Sequence, residues 1–473
     1  MGWVDRVLPP WRAAGMRVVW PVVLVAALWG GRAVAAASDT DTDTSVATIP
    51  VTPLRTPADE PATGPEPLRL ETLVVTGELL SREADQTVSS VTVHTGAEIE
   101  RGTARDVYDL IRATPNAGLE DSDYGFGGIT LRGIGSYGAS GAGAYAAYGT
   151  TSVVVLDGVG LPRSALSYAD LAAFDLDSVE IFRGPQSTSQ GRNAMAGAVV
   201  INSVAPMPMP ALYPQFRGRL AAGEAGARQT AGAVEATLWP DALALRLMHD
   251  DRADDGDIRN ATRDDDHAAG RESRSTRLRA RLQPGGPGGR YEALITAADL
   301  THRRGSTYVQ LRREHDRVAL NDQPQDVDNR AQLYALDQRL RLGEAWTLRA
   351  VSAWFRSETR SRFDTDYGAD NGGATVQQKD SDGFSQELRL TYESPRLRGT
   401  VGAYHYDERN RDDSDGYLGL NFFLDAAGLC GLQIVCSAPL ANLGFESGLP
   451  SEARDLAAFA GRDWAVTPRL TLT

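Results

Sequence analysis

The stretch DSVEIFRGPQSTSQGRNAMAGAVVINSVA, residues 177–205, decides how the rest of the chain is read. Val179 to Phe182 reads as a short buried strand broken by Gly184 and Pro185, and Ala198 to Asn202 as a second strand that closes the unit. Between them runs a Gly, Ser, Gln and Asn loop that carries Arg183 and Arg192. Such a loop has too little apolar surface to fold alone. Its arginines must be held against something larger that supplies carboxylates or solvated polar groups. A polar plug inside a polar lumen would do that.

Arg183-Gly184-Pro185-Gln186, followed by Gly191-Arg192-Asn193-Ala194, resembles the end of the plug domain of TonB-dependent outer-membrane receptors. The other family pieces stand in family order: a helix ending at a proline in ATPNAGLE, Leu131-Arg132-Gly133-Ile134-Gly135 for I-R-G-x-G, and Val154 to Val159 for V-x-x-D-G-V. The resemblance implies a mainly β protein, a transmembrane antiparallel barrel of roughly 22 strands around an N-terminal α+β plug domain. It also implies that Arg132, Arg183 and Arg192 make plug–barrel contacts, with Glu387 chosen as their partner on the wall. The Gly/Ala/Tyr-rich insert from Gly135 to Tyr148 would face the binding cavity. There Tyr137, Tyr145 and Tyr148 are ligand contacts or, equally, solvent-exposed loop aromatics.

At 473 residues the chain exceeds one ordinary domain. Its hydrophobic share of 42% would suit a soluble protein, but barrel strands alternate apolar and polar residues and average to the same value. A net charge of −14 argues against nonspecific nucleic-acid binding. Cys430 and Cys436 lie close enough in sequence for a local disulfide in an oxidising compartment, and no His or Cys stands nearby to make a metal site. The six histidines are scattered, and no Ser or Cys sits in a nucleophile setting. The reading is therefore a non-enzyme without cofactor or metal.

Residues 1–37 hold Arg17, an apolar run from Val18 to Trp29 and small residues through Ala37, which is a secretory signal peptide. Residues 38–69, rich in Asp, Thr and Pro, form a disordered linker. Next come Leu70, Glu71, Thr72, Leu73, Val74, Val75, Thr76 and Gly77, a short β-prone segment. It resembles the TonB box, which adds as a strand to the energy-coupling protein. The plug domain is set at 80–206. It contains a strand ending at Val93, helical spacing across Gly96 to Arg112, and strands at Ile129 to Arg132 and Val153 to Asp157.

From Tyr213 the chain alternates with period two: Thr276, Leu278, Ala280 and Leu282 oppose Arg277, Arg279 and Arg281. Candidate strands lie near 213–223, 227–238, 242–250, 273–282, 290–300, 330–341, 345–357, 383–393, 397–407 and 453–464. After the second, short and long connections alternate, which is the outer-membrane barrel arrangement. Trp239, Trp346, Trp354, Tyr392 and Trp464 fall near strand ends as girdle residues. Ten or eleven strands by Thr473 amount to about half a barrel, so residues 213–473 are read as a partial barrel and the chain as a truncated product.

The function expected from the resemblance is TonB-dependent uptake of a scarce solute across the outer membrane by a monomer, with a ferric siderophore first. An oligosaccharide or cobalamin-like nutrient, or a truncated non-functional receptor, are the rivals. A distant alternative is a secreted dinucleotide-binding enzyme, because Gly133, Gly135 and Gly138 form G-x-G-x-x-G after a strand and Asp157 follows at a strand end. The helix this would need, ASGAGAYAAYGTT, carries three glycines, each about 1 kcal/mol worse than Ala.

Overall fold

The computed structural model describes residues 74–472 with breaks, the longer ones at 121–127, 136–149, 163–170, 187–193, 306–315 and 420–441. The leader, the linker, Leu70 to Leu73, Thr76, Arg192, Tyr137, Tyr145, Tyr148, Cys430 and Cys436 lie outside the described residues.

Two short strands, β1 (Val74–Val75) and β2 (Arg82–Glu83), pair antiparallel ahead of the plug. The plug then runs β3 (Val91–Thr95), α1 (Gly96–Arg101), α2 (Val107–Ala113), β4 (Ala117–Glu120), β5 (Gly128–Leu131), β6 (Ser152–Leu156), β7 (Val159–Gly160), β8 (Leu176–Arg183) and β9 (Gly197–Ser203). Its five-stranded sheet has the order β3-β8-β9-β6-β7, with β6 and β9 parallel. The stretch that opened the reading is therefore the centre of the plug. A Cβ on Gly197 would stand 2.1 Å from the Phe182 carbonyl oxygen, so only glycine lets β9 lie this close to β8.

The helical spacing over 96–112 is two helices, not one. Thr95 and Glu98 make a capping box at the start of α1, and Gly102 ends it. The Asp106 side chain then accepts from the Asp109 amide at 2.9 Å and starts α2 in a new direction. Cap chemistry overrides the apolar period here.

The rest is one large sheet: β10 (Gln215–Ala222), β11 (Arg228–Trp239), β12 (Leu243–Asp254), then β13 (Arg259–Asn260) in a loop, β14 (Arg271–Leu282), β15 (Tyr291–Gly305), β16 (Val318–Ala319) pairing with β13, and β17 (Asp326–Arg341). It continues through β18 (Trp346–Asp364), β19 (Gly373–Glu393), β20 (Leu397–Gly419), β21 (Asn442–Thr467) and β22 (Leu470–Leu472). Eleven of these follow one another antiparallel in chain order, from β10 at one edge to β22 at the other. The sheet is open among the described residues.

Strand ends at the short turns fall where the alternation places them, but the other ends run further. β19 begins at Gly373 and β20 ends at Gly419, about ten residues beyond the expected limits. These extensions are polar on both faces and are tied by cross-strand groups such as Arg362 on Asp326 (2.7 Å) and Gln377 on Asp412 (2.8 Å). With water on both sides there is no hydrophobic alternation to read, although the backbone ladder continues.

One face of the sheet exposes Leu247, Leu278, Ile295, Leu388 and Val401. Trp346 stacks near Tyr392 (4.9 Å) at the short-turn rim, and Trp354 near Tyr334 (5.3 Å) well inside β18. Trp354 is thus not at a strand end as expected. At about 3.3 Å per residue and a tilt near 40°, the two tryptophans stand about 20 Å apart along the barrel axis, close to the ~25 Å apolar band of an outer-membrane protein. They are two girdles, one at each border.

Candidate functional site: the interface between plug and sheet

The opposite, inner face of the sheet holds the plug, and arginines of β12 and β14 reach into it. Arg246 lays its Nε across both Asp175 carboxylate oxygens (3.1 Å each), while its Nη1 donates to Glu235 (2.7 Å). Arg277 donates to the Asp175 carbonyl (2.9 Å) and stands 3.6 Å from its carboxylate. Arg279 donates to Ser203 Oγ (2.9 Å) and to the Ser203 carbonyl, with the Asp157 carboxylate 3.4 Å away. Arg252 bonds Asp250 (2.7 Å) and the Arg105 carbonyl (3.0 Å) and lies 3.9 Å from Asp106. Every charged member of this set is buried; Asp175 is 2% exposed. Buried charges persist only when paired and hydrogen-bonded, and here each is.

Local backbone aims the plug carboxylates. Asp157 (φ 50°) and Gly158 (φ 84°) form the two central residues of the tight turn from β6 to β7, the left-handed pair that a two-residue hairpin favours. Asp157 also accepts from the Ser203 amide (2.9 Å) and hydroxyl (2.6 Å), which ties the turn to β9. Asp175 is likewise left-handed (φ 63°), a conformation Asp tolerates better than most residues. The connector to the sheet is pinned by the Met207 amide on Glu235 and the Met209 amide on Thr237, both 2.9 Å.

Away from the arginines the interface is apolar. Plug residues including Ile99, Leu110 and Leu156 share one buried cluster with Ala298, Leu300, Ala331, Leu333, Ala353 and Phe355 of the wall. The boundary is ionic along β12 and β14 and apolar along β15, β17 and β18.

The expected pairs are also redrawn. Glu387 bonds Arg389 on its own strand (2.8 Å), not Arg132 or Arg183. Arg183 donates to the Pro115 carbonyl inside the plug (2.8 Å), and Arg132 is exposed, with its guanidinium beside Gly184. The polarity is reversed: the wall contributes guanidinium groups and the plug carboxylates. Arg277 and Arg279 stood in plain view as a charged strand face, and Asp157 as the end of a D-G turn. What no local pattern supplied was which of them meet.

In the segment expected to couple, Val75 is fully buried among Val153, Phe182, Ala194, Ala198 and Val200. The Gly77 amide donates to Glu180 Oε2 (2.9 Å), and Asn202 donates to the other oxygen of Glu180 (3.3 Å). Glu180 is wholly buried in β8. In the neighbouring sheet strand, His94 bonds Thr114 (2.9 Å), and burial lowers its pKa despite an opposing effect of Glu98. Asp157, the residue a nucleotide fingerprint would assign to a ribose, is instead bound by Ser203 and Arg279.

A small α+β plug on the charged inner face of a long up-and-down sheet is the plug-and-barrel architecture of outer-membrane proteins. Residues 83–198 match the family model described as TonB-dependent Receptor Plug Domain, and the chain has the fold of the TonB-dependent receptors. Among solved structures, the ferric yersiniabactin uptake receptor FyuA from Yersinia pestis is similar with a TM-score of 0.62 at 16% identity, over 80% of this chain and 62% of that one. The ferripyoverdine receptor of Pseudomonas aeruginosa is similar with a TM-score of 0.62 at 12% identity, over 83% and 52%. The vitamin B12 transporter BtuB of Vibrio vulnificus is 27% identical over 141 residues, 28% of this chain and 21% of its own length. The chain thus spans less than two thirds of each.

Proposed function

We propose that the protein binds a scarce extracellular solute above its plug and takes it inward when the TonB energy-coupling protein pairs with residues 70–77. The observation that supports this most is the placement of Val75 and Gly77 against β8, so that a pull on the segment acts directly on the sheet at the centre of the plug. A ferric siderophore is the solute favoured by the likeness to the FyuA and ferripyoverdine receptors. Removing residues 70–77 tests coupling: uptake should stop while solute binding to cells persists, and uptake that continues would refute it. Repression of the gene by iron in the medium supports the siderophore; induction by an oligosaccharide would replace it.

A further inference from the structure

The coupling segment is tied to one side of the plug's boundary. The Gly77 amide donates to Glu180 of β8 (2.9 Å), and Asn202 of β9 holds the other oxygen of that carboxylate (3.3 Å). Both strands end at the ionic wall. Asp175, the residue before β8, is gripped by Arg246 and Arg277, and Ser203, the last residue of β9 and the neighbour of Asn202, is gripped by Arg279. Leu176 and Ser203 are partners in the ladder, so the two gripped ends stand together at one end of the plug sheet. The extended chain from Asp175 to Glu180 covers about 17 Å. A line of strand backbone and hydrogen bonds therefore runs from Gly77 to the arginines of β12 and β14. Toward β15, β17 and β18 the plug presents apolar side chains instead.

The two seams also respond differently to being parted. Charges drawn apart into water regain the hydration that burial denies them, whereas an opened apolar seam exposes surface that nothing compensates. Down the inner face, the register of β12 on β14 sets Arg252 beside Ser273, Asp250 beside Ser275 and Arg246 beside Arg279, a polar lining that leads from the rim of the long connections toward the short turns. At its head a cavity of about 100 Å³, between Arg105 and Asp106 of the plug and Gln229, Arg252 and Ser273 of the wall, gives water an entry. Phe174 packs on Ala231, Ala233 and Met248 on this side, and as the neighbour of Asp175 it is drawn out with it. We propose that a pull on the coupling segment parts the plug from β12 and β14 while it stays seated on β15, β17 and β18, opening a polar gap wide enough for a small hydrophilic molecule. This rests on the coupling role given to residues 70–77 above.

Ser275 and Ala331 provide the test, because they stand in one cross-strand row with Leu300 between them, one on each seam, and both are buried (2% and 0% exposed). Ser275→Cys and Ala331→Cys are made separately in the intact chain carrying Cys430→Ser and Cys436→Ser. The reaction of each thiol with a sulfonated maleimide is timed in detergent micelles, with residues 70–77 present and removed. Removal frees β8 and β9 from the segment, and the part of the boundary tied to them should loosen. The thiol at position 275 should then react about tenfold faster or more, and that at position 331 should change by about twofold or less. Glu180→Ala, with the segment in place, should give part of the rise at position 275. An equal rise at both positions, or none at position 275 in protein that keeps its heat-modifiable mobility, overturns the proposal. Ser273→Cys and Ala298→Cys stand in where a variant does not fold. The reaction needs neither solute nor coupling protein. If it fails while removal of residues 70–77 still stops uptake, the assignment of the seam falls and the uptake reading stands.

Discussion

Arg246 joins three segments that are far apart in sequence: its own strand, Glu235 on β11 and Asp175 of the plug. Arg246→Ala leaves two buried carboxylates facing each other, and loss of one partner of a buried pair costs about 3–5 kcal/mol. Hydrogen exchange should show plug amides near Asp175 losing protection in that variant. Arg330→Ala, at a pair whose arginine side chain is 54% exposed, should change stability by about 1 kcal/mol or less. At the coupling end, Glu180→Ala takes away the acceptor of the Gly77 amide, and a spin label placed at residue 74 should become more mobile. His94 gives the pH dependence. Its folded pKa lies below the unfolded value of 6.5, so the unfolded chain takes up the proton first as pH falls. Stability is then fully present above that value and declines below it, until the pH passes the folded pKa. The denaturation midpoint should drop between about pH 8 and about pH 5.5, and His94→Gln should reduce that drop.

Among the elements, β18 and β19 show how one strand serves two surroundings. From Trp346 to Trp354, and from Tyr392 back to Phe384, the outward side chains are apolar except for Ser352 and Gln386, the first donating to the second (2.6 Å); beyond them Arg356, Glu358 and Arg360 face outward from β18. Leu388→Arg puts a charge within the apolar band, at a cost of about 2–4 kcal/mol near its middle, and should lower the yield of heat-modifiable protein in the outer membrane. Arg360→Leu, beyond the band, should leave that yield unchanged. The alternation shows where a strand meets lipid. It stops being informative where the strand leaves it, which is why the ends of β19, β20 and β21 lie beyond the sequence-based limits. The break between α1 and α2 was legible in Thr95, Glu98, Gly102 and Asp106, whose capping signals outrank the apolar spacing.

Across the whole molecule, the plug is held in two different ways. Along β12 and β14 the boundary consists of buried charge pairs, whereas along β15, β17 and β18 it consists of small apolar contacts, many of them alanines. The edges of the sheet differ again. β10 and β22 each have one neighbour among the described residues, and their side chains are largely exposed. In detergent, amides of these edge strands should exchange far faster than those of β15 to β19. Equal protection across the sheet would mean that the edges are covered in solution, by added strands or by a second copy.

The sequence by itself determined the plug, because R-G-P-Q, D-G and the short buried strands are local signals whose geometry depends on neighbouring residues. It also determined the strand count and the rim with short turns, since a strand between lipid and lumen must alternate and must reverse in a few residues. The contacts between the two parts were decided only in three dimensions. Asp175 meets Arg246 across 71 positions and Asp157 meets Arg279 across 122, and no spacing rule links residues so distant. The inward face of β14 was visible as arginine after arginine. That it grips carboxylates of the plug, while Glu387 turns to its own neighbour Arg389, follows from the register of the whole sheet around the plug, a property no single strand possesses.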